Sequence, residues 1–202
     1  MRRQQAEATR RALAAAARRL FAERGYAATT IEEIAREAGV AVQTFYAVYG
    51  SKRGVLFALL DAIEADADLA GYLESLREAA GDPWRQLERI VDFNVRLFDG
   101  AADVLRTVRQ AGSAEVDPAS VWREGEERRR LGQVELVRDW AERGVLRPGL
   151  PESEAADVLW ALTGPDVYRL FVDERGWPAA RYRGWLTRTL ASLLFGGPAD
   201  GG

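Results

Sequence analysis

The segment from Thr30 to Arg53, TIEEIAREAGVAVQTFYAVYGSKR, constrains the fold more than any other part of the chain. Thr30 precedes Glu33 by three residues, which is the capping-box pattern that begins a helix. Gly39 ends that helix, and a short turn leads into a second helix over residues 42–48. Two short helices around a glycine-containing turn are typical of a helix-turn-helix. Other helical hairpins share this spacing, so the spacing alone leaves DNA binding open.

The residues around the second helix favour DNA binding. In a helix-turn-helix, the first residues of the second helix face base edges, and here they are Val42, Gln43 and Thr44. Gln43 is suited to adenine, and Thr44 or Val42 to a thymine methyl group. Several neighbouring groups are suited to phosphate oxygens. They are the phenols of Tyr46 and Tyr49, the ammonium of Lys52, a hydroxyl of Thr29 or Thr30, and the amides that begin the first helix.

Charge is distributed unevenly along the chain. The 202 residues have a net charge of −3, which by itself speaks against nucleic-acid binding. Residues 1–53 nevertheless hold ten of the 28 basic side chains and five of the 31 acidic ones, so this part is +5 and the remainder is −8. A basic module on an acidic body is typical of a DNA-binding head. Arg2 and Arg3 begin an N-terminal arm that could follow phosphates, enter a minor groove or simply fray.

In its residue pattern the chain resembles the TetR family of transcriptional repressors over about a quarter of its length. The matching residues are Ala17-Leu20-Phe21-Gly25, Thr29-Thr30, Ile34-Ala35, Ala38-Gly39-Val40, Thr44-Phe45-Tyr46 and Ser51-Lys52. The chain departs from the family at Val48, where His or Tyr is usual, and at Tyr49, where Phe is usual. Val48 cannot donate to a phosphate, whereas Tyr49 either replaces that contact or is a core ring with a polar tip.

The helical periodicity predicts an all-α fold with a three-helix head, residues 1–53, and a six- or seven-helix body, residues 54–202. We expect an arm over residues 1–8, helix 1 from Thr9 to Arg24, and core positions for Phe21 and Phe45. The predicted body helices begin near Ser51 (to Ala80, with a break near Gly71), Asp82-Pro83, Ala101, Pro118, Pro151, Pro165 and before Trp185. A continuous helix after Ser51 would join head and body as a rigid rod.

Composition excludes several classes of function. The chain has no cysteine and no histidine, so disulfides, thiolate chemistry, histidine-based triads and the commonest metal ligand are absent. We therefore expect no cofactor and no metal, although metal sites built from carboxylates alone stay open. The absence of cysteine makes a reducing cytoplasm the simplest location. No apolar run approaches the ~20 residues that span a bilayer, and no signal peptide is evident.

The body is larger than DNA binding requires, and two uses follow. The apolar C-terminal helices suit a homodimer, because a helix-turn-helix usually reads two half-sites. The resemblance agrees and also implies a central effector pocket. Its candidate residues are Trp84, Phe93, Asn94, Phe98, Trp122, Glu126, Trp160 and Tyr168, although each aromatic residue suits an ordinary core equally well and Asn94 could bond to backbone.

These features together predict a regulator that binds a pseudo-palindromic operator as a dimer and is released by a small apolar or amphipathic effector. Repression rather than activation is implied by the resemblance alone. An enzyme and a structural helical adaptor are the alternatives. The enzyme lacks a recognisable nucleophile and base, with Glu126 as its single candidate base.

Overall fold

The structure is a computed structural model that describes residues 2–112 and 116–195, without the side chains of residues 2, 105, 106, 108–112 and 116–122. Its described residues form ten α-helices and one π-helical segment. These are α1 (Arg2–Arg24), α2 (Ile31–Glu37), α3 (Val42–Tyr49), α4 (Lys52–Asp66), α5 (Leu69–Glu78), α6 (Pro83–Gly112), α7 (Val116–Glu142), α8 (Glu152–Leu162), α9 (Pro165–Tyr168), the π-helical segment Arg169–Glu174, and α10 (Ala179–Phe195). The predicted all-α class is confirmed.

Helix α1 is longer than its apolar stripe predicts. It begins at Arg2 rather than near Thr9, so the expectation of a separate arm over residues 1–8 is wrong. That stretch contains glutamine, alanine, glutamate and arginine, which all favour helix, and no glycine or proline interrupts it. The predicted end is confirmed, since Gly25 follows with a φ of +80°. Phe21 and Phe45 are 2% and 0% exposed and lie in the core, as predicted.

The helix-turn-helix forms as the sequence predicts. Thr30 is the N-cap of α2: its hydroxyl accepts a hydrogen bond from the Glu33 amide, and its own amide donates to the Glu33 carboxylate. Gly39, with a φ of +68°, then reverses the chain, a conformation that most side chains would strain. Helix α3 begins three residues later, at Val42, so the two helices are joined by a short rigid turn.

The helix that follows Ser51 is not one continuous rod. It is interrupted between α4 and α5 at Ala67 and Asp68, three residues before the predicted break at Gly71. Asp68 adopts left-handed backbone angles, and its carboxylate caps α5 by accepting from the Gly71 amide at 3.1 Å. A Cβ at Gly71 would lie 2.1 Å from that carboxylate, so the glycine makes room for the cap.

Helix α6 joins two elements that the sequence predicts as separate. Asp82 caps it as expected, its carboxylate accepting from the Arg85 amide at 3.0 Å, but the helix continues through Gly100 to Gly112. A glycine inside a helix costs only about 1 kcal/mol. Buried Phe98, Ala101 and Val104 carry one apolar stripe across it, and their packing outweighs that cost.

The C-terminal helices largely follow their predicted limits. Thr163 is the C-cap of α8, Gly164 is the N-cap of α9, and Pro165 occupies the first position of α9. The predicted short helix over 165–174 is α-helical only to Tyr168 and π-helical from Arg169 to Glu174. None of the helices in the described ranges is long and apolar enough to cross a membrane.

The chain forms two compact units. The first contains Met1–Glu64 and Ala101–Gly125, and the second contains Ala65–Gly100 and Glu126–Gly202. The unit boundaries fall inside α4, α6 and α7. The functional division at residue 53 stays a prediction.

Candidate DNA interface and effector site

The exposed face of α3 is formed by Gln43, Tyr46 and Ala47. All three are solvent-exposed, with Tyr46 at 50%, and their spacing of three and four residues places them on one side of the helix. Val42 and Thr44 are half-buried at the beginning of the same helix. Ala47 is not among the residues predicted from the sequence, although its spacing from Gln43 indicates the same face. No residue of α3 is charged, so this face can read bases but supplies no cation.

The end of α3 is fastened to α1 by a reciprocal pair of contacts. The Tyr49 hydroxyl donates to the Arg10 carbonyl at 2.8 Å, and the Arg10 guanidinium donates to the Val48 carbonyl at 3.3 Å. The guanidinium also lies 5.2 Å from the centre of the Tyr49 ring. Burial of the phenol raises the pKa of Tyr49 despite the nearby cation. The Tyr49 side chain therefore takes part in an internal contact that holds α3 against α1, whereas Val48 contributes only its backbone carbonyl.

Thr29 and Thr30 have different surroundings. Thr29 is 1% exposed, and its hydroxyl donates to the carbonyls of Gly25 at 2.8 Å and Leu20 at 3.3 Å. It thus closes the turn between α1 and α2 and has almost no surface from which to reach a phosphate. Thr30 is exposed at the beginning of α2, where the backbone amides favour anions.

Lys52 lies against the same turn. Its ammonium donates to the carbonyls of Tyr26 at 2.9 Å and Thr29 at 3.1 Å, and it lies 4.2 Å from the centre of the Tyr26 ring. Two of its three N–H groups are therefore directed at the turn before α2. A neighbouring helix cap is formed by the Ser51 hydroxyl, which accepts from the Gly54 amide at 3.0 Å.

Two of the three glutamates of α2 are paired with arginines of α1. Glu33 accepts from Arg24 at 2.8 Å, and Glu37 forms an ion pair with Arg19. The Thr30 amide, followed by the Arg24 charge, lowers the pKa of Glu33. These pairs neutralise carboxylates that would otherwise repel phosphates.

The N-terminal arginines complete the predicted DNA-binding set. Arg3 is exposed in the first turn of α1, whereas the side chain of Arg2 lies outside the described residues. Their contact with DNA stays a prediction.

Aromatic contacts account for most of the proposed effector residues. Phe93 stacks on Tyr72 with ring centres 4.2 Å apart, and Phe98 lies 5.6 Å from Tyr168. The Tyr168 hydroxyl donates to Asp99 at 3.1 Å. Burial, followed by the Asp99 charge, raises the pKa of Tyr168. These rings are core packing in this structure, and their contact with a ligand stays a prediction.

The remaining candidates differ in exposure. The Asn94 side-chain amide is buried and donates to the Ile90 carbonyl of its own helix at 2.8 Å, which is the backbone alternative that the sequence left open. Trp84 is 40% exposed and lies 5.6 Å from the Phe195 ring. The side chain of Trp122 lies outside the described residues.

Glu126 and Trp160 belong to a polar cluster between α7 and α8, in which Arg129 connects them. Arg129 donates to the Glu126 carboxylate at 2.7 Å and to the Trp160 carbonyl at 2.8 Å. Thr163 accepts from Arg129 at 3.2 Å and from Gln133 at 2.9 Å. Arg129, Gln133 and Thr163 were not predicted from the sequence. Arg129 stands in the run Arg128-Arg129-Arg130, which suits a solvated face.

Comparison with known proteins agrees with the helix-turn-helix of α2 and α3. A family model described as "Bacterial regulatory proteins, tetR family" matches residues 13–59. The HTH-type transcriptional regulator EthR of Mycobacterium tuberculosis is 27% identical, covering 92% of this chain and 86% of its own. The HTH-type transcriptional repressor SCO4008 of Streptomyces coelicolor is 28% identical, covering 82% and 84%.

A solved structure has the same fold. NalD, the secondary repressor of the MexAB-OprM multidrug efflux pump in Pseudomonas aeruginosa, superposes with a TM-score of 0.78 at 23% identity. The match covers 94% of this chain and 98% of NalD. These relatives are transcriptional regulators and repressors rather than enzymes, which agrees with the prediction that this chain is not an enzyme.

Proposed function

We propose that this chain is a TetR-family transcriptional regulator, and that it is a ligand-responsive repressor acting as a dimer on a pseudo-palindromic operator. The observation that carries the proposal is the exposed, uncharged face of α3 at the end of a capped helix-turn-helix. A DNA regulator works beside the chromosome, so we place it in the cytoplasm.

On DNA, α3 enters the major groove and its first turn reads base edges. Gln43 pairs with adenine, while Val42 and Thr44 contact thymine methyl groups. Phosphate contacts come from groups around this face. We assign them to Arg2, Arg3, Thr30, Tyr46 and the remaining N–H of Lys52, and we give Thr29 and Tyr49 the positioning roles that their internal hydrogen bonds support.

Two features support a dimer formed by the C-terminal helices. Buried Tyr182, Leu186, Leu190 and Leu194 use one face of α10 within the protomer, whereas Leu193 is 38% exposed beside them. Leu170, in the π-helical segment, is 45% exposed. Burial of these leucines against a second protomer would remove apolar surface from water.

The effector acts through the body of the protein. We place the effector beside the residues of α6 to α9 that the sequence predicts for its pocket, which include Asn94, Glu126 and Trp160. The effector releases the operator only to the extent that it binds the DNA-incompetent state more tightly. A body with buried polar groups next to aromatic rings suits an amphipathic molecule better than a fully apolar one.

The proposal is tested by gel-shift titration of the purified protein against DNA from upstream of its own gene. We expect specific retardation that survives an excess of unrelated duplex at moderate salt, with two protomers per site. The adaptor alternative predicts no retardation, and the enzyme alternative gives no reason for sequence preference. Absence of a specific complex even in dilute buffer would contradict the proposal.

The dimer is tested with Leu193→Glu, compared with Leu73→Glu at an exposed leucine of α5. A carboxylate at the dimer surface should shift the molar mass in solution towards one protomer and weaken operator binding. The α5 variant should leave both unchanged. Unaltered mass for Leu193→Glu would place the interface elsewhere.

A further inference from the structure

The polar cluster between α7 and α8 contains more hydrogen-bonding groups than it satisfies. Three of its buried atoms have no partner among the described residues: Arg129 Nε, Gln133 Oε1 and Trp160 Nε1. Gln133 is 8% exposed and Thr163 is 0% exposed. A buried polar atom without a partner costs about 1–3 kcal/mol, so three in one place require an explanation.

The atoms belong to one small site because Arg129 and Gln133 share a partner and the Trp160 ring lies beside Arg129. Arg129 Nη1 and Gln133 Nε2 lie 3.2 and 2.9 Å from the same Thr163 hydroxyl. The Arg129 guanidinium also lies 5.3 Å from the centre of the Trp160 ring and donates to the Trp160 carbonyl. All four residues lie in the second compact unit.

Rotation of the Gln133 amide does not remove the mismatch. The Thr163 hydroxyl donates its proton to the Leu159 carbonyl at 2.6 Å, so it can only accept from Gln133. Gln133 must therefore present its NH₂ group to Thr163, which leaves Oε1 as an acceptor without a donor. The site thus has a fixed polarity: two donors, on Arg129 and Trp160, and one acceptor, on Gln133.

The charge of the site is already balanced. The Arg129 guanidinium forms an ion pair with Glu126 at 2.7 Å, and both side chains are largely buried, at 18% and 22% exposed. An additional anion would compete with Glu126 and would face the Gln133 oxygen. A neutral group that accepts two hydrogen bonds and donates one complements the site better.

We infer that Arg129, Gln133 and Trp160 form the polar subsite for the effector, and that they bind a neutral group with both an acceptor and a donor, such as a carboxamide. The ligand oxygen accepts from Trp160 Nε1 and Arg129 Nε, and the ligand N–H donates to Gln133 Oε1. This inference rests on the proposed function and specifies the polar end of an amphipathic effector.

The subsite is tested by nuclear magnetic resonance on the full-length protein with ¹⁵N-labelled tryptophan. The Trp160 indole signal is assigned with Trp160→Phe, and the probes are hexanamide, methyl hexanoate and sodium hexanoate. We expect hexanamide to shift the Trp160 indole signal and to bind about tenfold more tightly than the ester or the carboxylate, as loss of one buried hydrogen bond predicts. Equal affinities, or no shift of this signal, would overturn the inference and indicate a site that holds only water.

Two variants test the role of Gln133. Gln133→Leu should reduce the preference for hexanamide over methyl hexanoate to less than about twofold, because a hydrocarbon side chain cannot accept the amide proton. Glu127→Gln, at an exposed position of the same helix, should keep the preference. Persistence of the preference in Gln133→Leu would overturn the inference, and the comparison of probes on the unmodified protein stands even if that variant fails to fold.

Failure of the subsite and failure of the proposed function are distinguishable. Selective hexanamide binding at Trp160 without operator release would support the subsite and contradict ligand-controlled release. Operator release by a molecule that binds the Gln133→Leu variant as tightly as the unmodified protein would support ligand-controlled release and overturn the subsite.

Discussion

Lys52 is the only lysine of the chain, and its position illustrates how one cation can serve two purposes. Its ammonium holds the Tyr26 and Thr29 carbonyls immediately before α2 begins. The amides of α2 that are proposed to meet a phosphate therefore depend on Lys52 for their position. One N–H remains for a direct phosphate contact, since an ammonium has three donors.

Lys52→Ala should consequently have two effects. Loss of the carbonyl contacts should lower the free energy of unfolding by about 1–3 kcal/mol. Loss of the charge should weaken binding to all sequences alike and reduce the slope of log affinity against log salt by about 1. Urea denaturation and gel shifts over a range of salt concentrations measure both. An unchanged slope with reduced stability would show that Lys52 is a positioning residue alone.

Gln43 is proposed to read a base because it is exposed on an uncharged helix face. Gln43→Ala should relax base preference at one position per half-site, at a cost of about 1–3 kcal/mol per half-site. Binding to a library of operators mutated one position at a time measures this loss. Gln5→Ala, at an exposed glutamine outside the helix-turn-helix, is the control and should retain the preference. Operator selectivity that survives Gln43→Ala would exclude Gln43 as a reader.

Between elements, the clearest ionic contact within the first compact unit joins α1 to the second half of α6. Arg18 binds Asp103 through two hydrogen bonds, Nε to Oδ2 at 2.7 Å and Nη2 to Oδ1 at 2.8 Å. These bonds and the Arg18 charge lower the pKa of the Asp103 carboxyl. The Arg18–Asp103 pair therefore fastens α1 to the part of α6 that belongs to the same compact unit.

Asp103→Asn should destabilise the protein at neutral pH by about 1 kcal/mol or less, because both side chains are about one-third exposed. A lowered carboxyl pKa contributes stability above its unfolded-state value, and that contribution is lost as pH falls below about 4. The difference between the variant and the natural protein should therefore shrink with acidification. Urea denaturation from pH 7 to pH 3 measures it.

Asp61→Asn, at an exposed carboxylate of α4, serves as the control for Asp103→Asn and should track the natural protein. A difference for Asp103→Asn that stays constant across this pH range would mean that the ion pair adds no pH-dependent stability.

At the scale of the whole molecule, buried phenols make the body sensitive to alkali. Burial raises the pKa of Tyr72 to about 12 and raises that of Tyr168 and Tyr182 as well. In the unfolded chain a tyrosine loses its proton near pH 10. A raised folded-state pKa contributes stability that is complete below pH 10 and is lost as the pH rises towards the folded value.

Stability should therefore fall above pH 10, and Tyr72 alone should account for about 1.4 kcal/mol per pH unit up to pH 12. Tyr72→Phe keeps the ring that stacks on Phe93 but cannot ionise, so its stability should fall less steeply. Urea denaturation at pH 9, 10 and 11 measures the slopes, with Tyr46→Phe as the exposed control. Equal slopes for Tyr72→Phe and the natural protein would contradict this assignment.

The sequence alone determined the features that depend on local chemistry. The Thr30–Glu33 capping box, the turn at Gly39 and the Asp82 cap are set by residues within one or two turns of each other, so their patterns predict them directly. The family resemblance follows from residues 17–52, and the candidates for base readout lie within that segment. Proline and glycine likewise marked the limits of α8 and α9, because their backbone restrictions act locally.

The tertiary structure decided how far helices extend and which polar groups meet. Helix α6 crosses Gly100 because buried neighbours outweigh a local penalty. Helix α4 ends at Asp66, two residues before Asp68, whose side chain caps α5. The partners of Tyr49 and Lys52 lie 39 and 23–26 residues away, and those of Arg129 include residues 31–34 positions distant. Such contacts depend on how helices pack in space, and no spacing within one helix encodes them.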